Sequence, residues 1–168
     1  MLGIVMAGGK SSRFGKEKLI QYLGEKRIID ISIENISRSK VDEYYVAVSK
    51  NAPITMEYCK KFNTIVTPGA GYPEDVAYLL RLFERPILLL NGDSVFIGPE
   101  IINDFLSKFR GKSMAAVIFD HGYKFIGLNI AVPNDERDVI IEYNDINLGL
   151  NINTAEDLKE ATSIVTRQ

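Results

Sequence analysis

The sequence holds one cysteine, one histidine and no tryptophan among 168 residues. Cys59 alone excludes an intrachain disulfide and a zinc site built on cysteines. His121 alone excludes an HExxH pair and a multi-histidine metal centre, and a Ser-His-Asp relay would have to run through that one residue. Its setting, Asp120-His121-Gly122, reads as a turn. No apolar run approaches the roughly 18 residues of a membrane span. Leu2–Met6, the only apolar stretch near the N-terminus, is too short for a signal-peptide core. Together these absences point to a reducing, cytoplasmic setting. With 46% hydrophobic and 25% charged residues and only six prolines, the composition is that of a globular protein with a core. The length fits one domain, residues 1–168.

Charge of one sign is also scarce: the net charge is −2, which argues against a broad nucleic-acid-binding surface. The distribution is uneven. Residues 1–27 carry six basic side chains (Lys10, Arg13, Lys16, Lys18, Lys26 and Arg27) against Glu17 and Glu25, a local balance of +4 that leaves −6 for the remainder. A basic N-terminal segment on an acidic chain suggests a small anionic ligand held there. The sequence leaves room for a homodimer.

What is present is alternation. Short aliphatic runs at Leu2–Met6, Tyr44–Val48, Thr64–Val66, Pro86–Leu90 and Met114–Phe119 read as strands, with Phe125–Val132 and Val139–Tyr143 as further candidates. Between them Ile28–Ile36, Pro53–Phe62, Pro73–Phe83 and Pro99–Phe109 have helical spacing, three with proline at a tolerated first-turn position. Thr154-Ala155-Glu156-Asp157 is a capping box opening a last helix. The four consecutive aliphatics Ile87 to Leu90 suit a strand covered on both faces. Strands alternating with helices predict a single-domain, Rossmann-like three-layer α/β fold with a mostly parallel central sheet. Ligands of such sheets bind beyond the carboxyl ends of the strands. Three segments at such ends stand out: 7–18, 67–72 and 91–94.

The first is rich in glycine and basic residues. Glycines let backbone N–H groups approach a phosphate without a Cβ in the way. Arg13 and Lys18 bring charge that can neutralise a triphosphate and a departing pyrophosphate. Gly9-Lys10-Ser11 is not the end of a P-loop, because the required upstream glycine would fall on Ile4. The GxGxxG spacing is absent too, since the next glycine after Gly9 is Gly15.

Ala7-Gly8-Gly9-x-Ser11-x-Arg13-Phe14-Gly15-x-x-Lys18 resembles the signature loop of the MobA-like nucleotidyltransferases, which have a GT-A-type α/β fold. Members attach a nucleoside monophosphate from an NTP to an acceptor and release pyrophosphate. The resemblance implies that Met6, Ala7, Gly8, Gly9, Ser11, Arg13 and Lys18 contact the nucleotide, Arg13 and Lys18 at its phosphates. Asn91-Gly92-Asp93 follows the strongest strand. Spacing alone fits a turn as well as a Mg2+ site, since Asn, Gly and Asp are common turn formers and Mg2+ takes few carboxylates plus phosphate oxygens and water. The family places a metal-binding aspartate here, which implies Asp93. In the same way Asn151-Ile152-Asn153-Thr154 resembles a family segment before the final helix. Its residues also suit helix capping. Asn151 is favoured over Asn153 for a ligand or metal, because Asn153 and Thr154 sit closer to the cap.

Gly69-Ala70-Gly71-Tyr72-Pro73, Gly127-Leu128-Asn129 and Leu150–Thr154 resemble the branch of archaeal guanylyltransferases that act on adenosylcobinamide phosphate, in cobalamin biosynthesis. By this resemblance Gly69 and Gly71 approach the guanosine of GTP, the donor. Gly127 and Asn129 line the shared nucleotide and acceptor cleft, although Gly127 fits a strand bulge as well. The acceptor's phosphate oxygen would attack the α-phosphorus. Such transfers need positioning and charge neutralisation rather than covalent help, and Arg13, Lys18 and Asp93 are the catalytic candidates. The chain departs from the molybdenum-cofactor branch, which has Cys-Asp-x-Pro where this sequence has Gly92-Asp93-Ser94-Val95. That branch, transferases using CTP or UTP, and a non-catalytic GTP-binding module remain alternatives at this level.

Overall fold

The computed structural model describes residues 1–165; residues 166–168 of the expected domain lie outside the described residues. In chain order, β1 (Leu2–Met6) is followed by a two-strand hairpin, β2 (Tyr22–Leu23) and β3 (Lys26–Arg27), then α1 (Ile28–Ser37) and β4 (Glu43–Val48). Next come α2 (Pro53–Cys59), β5 (Thr64–Val66), α3 (Tyr72–Phe83), β6 (Ile87–Asn91) and α4 (Pro99–Ser107). The chain then forms β7 (Met114–Phe119), β8 (Tyr123–Ala131) and β9 (Val139–Tyr143), a short 3-10 helix (Ile146–Gly149) and α5 (Ala155–Val165).

The result is a single α/β domain on a seven-stranded sheet ordered β5-β4-β1-β6-β8-β7-β9. Every pairing is parallel except those of β8, which runs antiparallel to both β6 and β7. The expected mostly parallel sheet is therefore present. The reversal at β8 has a local cause. Only three residues, Asp120–Gly122, join β7 to β8, too few for a parallel crossover, and His121 (φ 53°) and Gly122 (φ 140°) turn the chain with positive φ. The hairpin β2–β3 and the 3-10 helix carry no periodicity that would announce them. Helices α2 and α4 end at Cys59 and Ser107, short of the expected Phe62 and Phe109. Turns closed by Phe62 N–H on Cys59 O and by Phe109 N–H on Leu106 O replace the last predicted helical residues.

Burial follows the pleat. Val5, Val46, Val48, Leu88 and Leu90 face a cluster with Ile29 and Ile33 of α1, Ile102 and Phe105 of α4 and Cys59 of α2. Ile4, Ala47, Ile87 and Leu89 point the other way, onto Leu79 of α3. This is why β1 and β6 read as unbroken aliphatic runs: both faces are covered, and each buried Leu or Ile contributes about 1.5–3 kcal/mol. Cys59 is fully buried and packs as a small apolar residue in the first of these clusters. No described helix is long and apolar enough to cross a membrane.

The register sets the site. Met6 pairs with Ala47 on one side and Asn91 on the other, and Val48 pairs with Val66. The four parallel strands β5, β4, β1 and β6 therefore end at one edge, and the segments leaving them meet there.

Candidate active site

A cleft of about 570 Å3 opens at that edge. It is lined by Met6, Gly8, Gly9, Ser11, Arg13 and Lys18 from the loop after β1, and by Gly69 and Gly71 from the segment after β5. Asp93 enters from the turn after β6, and Asn151 from the segment before α5. The three strand-end segments singled out in the sequence thus converge.

Ala7 stands apart from its loop neighbours. It does not line the cleft: it is 1% exposed and its N–H donates to the Ala47 carbonyl at 2.7 Å, extending the β1 ladder by one residue. The N–H groups of Gly8 and Gly9, by contrast, donate to nothing among the described residues. They are the donors an anion would find.

The loop is anchored at both ends. Glu17 accepts from the Thr55 and Ile54 N–H groups at the start of α2, at 2.7 and 3.0 Å. Lys18 N–H donates to Ser11 Oγ at 3.3 Å. Gly92 ties the loop to the β6 turn through its N–H to Met6 O at 2.9 Å. A Cβ there would stand 2.9 Å from that carbonyl oxygen and 2.9 Å from the Leu19 side chain, so the approach requires glycine.

Lys18 is the hub. Its Nζ donates to Asp93 Oδ2 at 2.5 Å and to Asn153 Oδ1 at 3.2 Å. The side chains of Lys18 and Asp93 are 17% and 11% exposed, so the pair is largely withdrawn from water. Arg13 is exposed and makes no ion pair or hydrogen bond among the described residues. An unpaired cation and a paired one therefore stand on the same loop.

The two asparagines have different surroundings. Thr154 caps α5: Asp157 N–H donates to Thr154 Oγ1, and the Asp157 carboxylate accepts from the Thr154 and Asn153 N–H groups at 2.8 Å each. The Asn153 side chain is free of the cap and reaches Lys18 instead. Burial pushes the Asp157 carboxyl up, but the two backbone N–H groups, the Thr154 hydroxyl and nearby Lys18 outweigh this and hold it below its ordinary range. Asn151 Oδ1 is buried with no hydrogen-bond partner among the described residues, which is costly unless a ligand satisfies it. No group of three or more His, Cys, Asp or Glu gathers among the described residues. One carboxylate and one orphaned amide oxygen form a sparse, hard-oxygen donor set of the kind Mg2+ accepts when phosphate and water complete its shell.

Sequence reasoning missed the supports. Ser49 Oγ donates to Gly8 O at 2.7 Å, Asn51 Nδ2 to Gly69 O at 2.7 Å, and Asp75 accepts from Gly69 N–H at 2.8 Å. Ser49 and Asn51 follow β4, whose carboxyl end is as much a ligand position as the other three.

Gly127 and Asn129 are not in this cleft. They line a second cavity beside it, between α3 and β8. Gly127 has φ +80°, and a Cβ would stand 2.5 Å from Ser94 Oγ and 2.7 Å from Asn91 Nδ2. The β7–β8 register shifts between Ala115 and Val117 at the same point. The bulge explains the glycine by itself.

The MobA-like NTP transferase domain matches residues 3–139. The chain belongs to that family. Among curated proteins it is 29% identical to adenosylcobinamide-phosphate guanylyltransferase of Methanocaldococcus jannaschii, over 99% of this chain and 98% of that one. It is 31% identical to a probable molybdenum cofactor guanylyltransferase of Thermococcus sibiricus, over 66% of this chain and 56% of that one. Among solved structures, molybdopterin-guanine dinucleotide biosynthesis protein A of Archaeoglobus fulgidus superposes with a TM-score of 0.73 at 18% identity, over the whole of both chains. A MobA-like transferase is an enzyme of nucleotidyl transfer, and the cleft brings together cations, free N–H donors and the carboxylates of Asp75 and Asp93.

Proposed function

We propose that the chain, as one nucleotidyltransferase domain over residues 1–168, transfers GMP from GTP to adenosylcobinamide phosphate and releases pyrophosphate. The observation that carries this reading is the Lys18–Asp93 contact at 2.5 Å inside a cleft rimmed by Gly8, Gly9 and Arg13. The near full-length likeness to the Methanocaldococcus jannaschii enzyme supports the acceptor.

The reaction needs little covalent help from the protein. The acceptor phosphate is already anionic at neutral pH and attacks the α-phosphorus without a general base. The Gly8 and Gly9 N–H groups hold the donor's phosphates. Lys18, fixed by Asp93 and Asn153, neutralises charge that develops toward the leaving pyrophosphate. Arg13, exposed and unpaired, closes on the same phosphates. Gly69 and Gly71 bring backbone against the nucleoside, their turn held by Asn51 and Asp75. Asp93 and Asn151 Oδ1 would hold Mg2+, which supplies further charge neutralisation when bound. The buried free thiol of Cys59 suits a reducing cytoplasm.

A second reading has its own support: the relatives from Thermococcus sibiricus and Aquifex aeolicus are both named probable molybdenum cofactor guanylyltransferases. A pyrophosphate-release screen separates the two. GTP, CTP, UTP and ATP are crossed with cobinamide phosphate, molybdopterin and sugar phosphates. GTP with cobinamide phosphate is expected to give the highest rate; no release from that pair overturns the acceptor assignment.

A further inference from the structure

Lys18 sits between two stretches of chain that are held very unequally. On its C-terminal side the ties are several. The Leu19 and Gln21 carbonyls accept from the Ile29 and Ile28 N–H groups that open α1, both at 2.9 Å. The Ile20 carbonyl accepts from Arg27 Nη1 at 2.9 Å. The Arg27 guanidinium in turn lies over the rings of Tyr22 and Tyr58, 5.1 and 4.5 Å from their centroids. Leu19 itself is buried in the core.

On the N-terminal side the ties are few. From Lys10 to Lys16 no hydrogen bond crosses to another element among the described residues. The Phe14 and Lys18 N–H groups turn back onto Ser11, the first on its carbonyl and the second on its hydroxyl. Only the Phe14 ring packs partly against the core. The first polar tie to the body of the fold is Glu17. Its two carboxylate oxygens accept separately from the Thr55 and Ile54 N–H groups of α2. Two bonds on one carboxylate fix its plane as well as its place. Ala52, the residue before α2, gives that helix no side-chain cap, so Glu17 supplies from a distance what a local cap would.

Glu17 is also the one carboxylate between Ala7 and Lys18, and it does not line the cleft. Swung inward, it would compete with Asp93 for the Lys18 ammonium and repel a triphosphate. The positive end of α2 holds it away.

We propose that Glu17 is a positioning residue for Lys18. It clamps the chain to the first turn of α2, while residues 19–21 are held by α1 and Arg27, and the Lys18 ammonium is thereby set at the nucleotide phosphates. The inference rests on the nucleotidyl-transfer role of Lys18 and deepens it with a residue that touches no substrate. Displacing a reacting group by about 1 Å costs on the order of 10²-fold in rate.

A double-mutant cycle tests this on wild type, Glu17→Ala, Lys18→Ala and Glu17→Ala/Lys18→Ala. It is read in pyrophosphate release from GTP with cobinamide phosphate, and in GTP affinity by equilibrium dialysis, which needs no turnover. With Lys18 present, Glu17→Ala is expected to lower release at saturating substrates about tenfold or more and to weaken GTP about threefold. Glu17→Gln keeps one acceptor oxygen and is expected to fall between. In the Lys18→Ala background the same substitution should change either reading by less than about twofold, because nothing is left to position. A purely structural role would lower the urea midpoint and act by the same factor in both backgrounds. Where Glu17→Ala does not fold, the cycle is run with Glu17→Gln on the same expectation. Equal factors in the two backgrounds overturn the proposal, as do wild-type release and GTP affinity in Glu17→Ala. Failure of the guanylyl-transfer reading shows separately, as wild-type GTP binding with no pyrophosphate release from any acceptor, and the affinity cycle then still decides the role of Glu17.

Discussion

Lys18 Nζ meets Asp93 Oδ2 at 2.5 Å across 75 residues of sequence, and so joins the loop after β1 to the turn after β6. Each group is the other's principal counter-charge. Lys18→Ala and Asp93→Ala are each expected to lower the rate of pyrophosphate release by about 10²–10³, the scale of a lost transition-state contact. Each also strands a largely buried charge and costs about 1–3 kcal/mol. The double variant Lys18→Met/Asp93→Leu removes both charges and should recover stability in urea titrations while staying inactive. Full activity in Asp93→Ala would reject its assignment to the metal and the transfer step.

A second prediction concerns the bulge in β8. Gly127 has φ +80° and stands so close to Ser94 and Asn91 that a Cβ would come within 2.5 Å of the serine hydroxyl. Gly127→Ala therefore meets both a strained backbone and a clash, and should destabilise by about 1–3 kcal/mol. Ser94→Ala combined with it relieves the nearest contact only, because Asn91 remains, so partial recovery is expected. The urea midpoint reads this directly.

Much of the fold and the cleft can be traced to particular residues in the sequence. The aliphatic runs locate β1, β5, β7 and β9 to the residue, although β1 and β7 are buried along most of their length whereas β5 and β9 are partly exposed edge strands. Strand direction is another matter. Nothing in the period of Tyr123–Ala131 says that it runs backwards; only the shortness of Asp120–Gly122 does. The loop after β1 was legible as a candidate site because glycine and basic residues behind a buried strand are an uncommon conjunction. Ser49, Asn51 and Asp75 were not, since their roles are hydrogen bonds to the carbonyls and N–H groups of distant glycines, which leave no local pattern. Asn153 is a related case. Its position next to the cap suggested capping, but Thr154 and Asp157 satisfy the helix start between them and free the Asn153 amide for Lys18.

That capping box gives a pH-dependent prediction. The folded Asp157 carboxyl titrates below its ordinary range. Its contribution is therefore complete above the unfolded value of about pH 4 and is lost as the pH falls through the folded value. Asp157→Ala should cost about 1 kcal/mol at pH 7. The gap from wild type should narrow at pH 3, where the wild-type carboxylate is itself being protonated. Denaturant titrations at the two pH values test the sign; an equal gap at both would remove Asp157 from the acid response.

Burial pushes the Cys59 thiol up to about 11, with Asp30 adding to the effect and Lys61 opposing it. Its thiolate fraction at pH 8 is therefore small, and the side chain is fully buried. Thiol reagents act on the thiolate, so alkylation of the folded protein should be slow beside that of a free thiol and become rapid in denaturant. Fast labelling under native conditions would mean that α2 opens readily from the sheet.

The orphaned oxygen of Asn151 separates a ligand role from a structural one. A buried polar atom without a partner destabilises the fold it sits in, by about 1–3 kcal/mol. Asn151→Leu keeps the shape and removes that atom, so the variant should be as stable as wild type or more so. If Asn151 Oδ1 holds Mg2+ or substrate, the same variant should need a higher Mg2+ or GTP concentration for half-maximal pyrophosphate release. Stability that rises while the ligand requirement worsens is the signature of a residue kept for function. A loss of stability with unchanged Mg2+ and GTP dependence would instead make Asn151 a structural residue, and Asp93 the only metal ligand proposed from the protein.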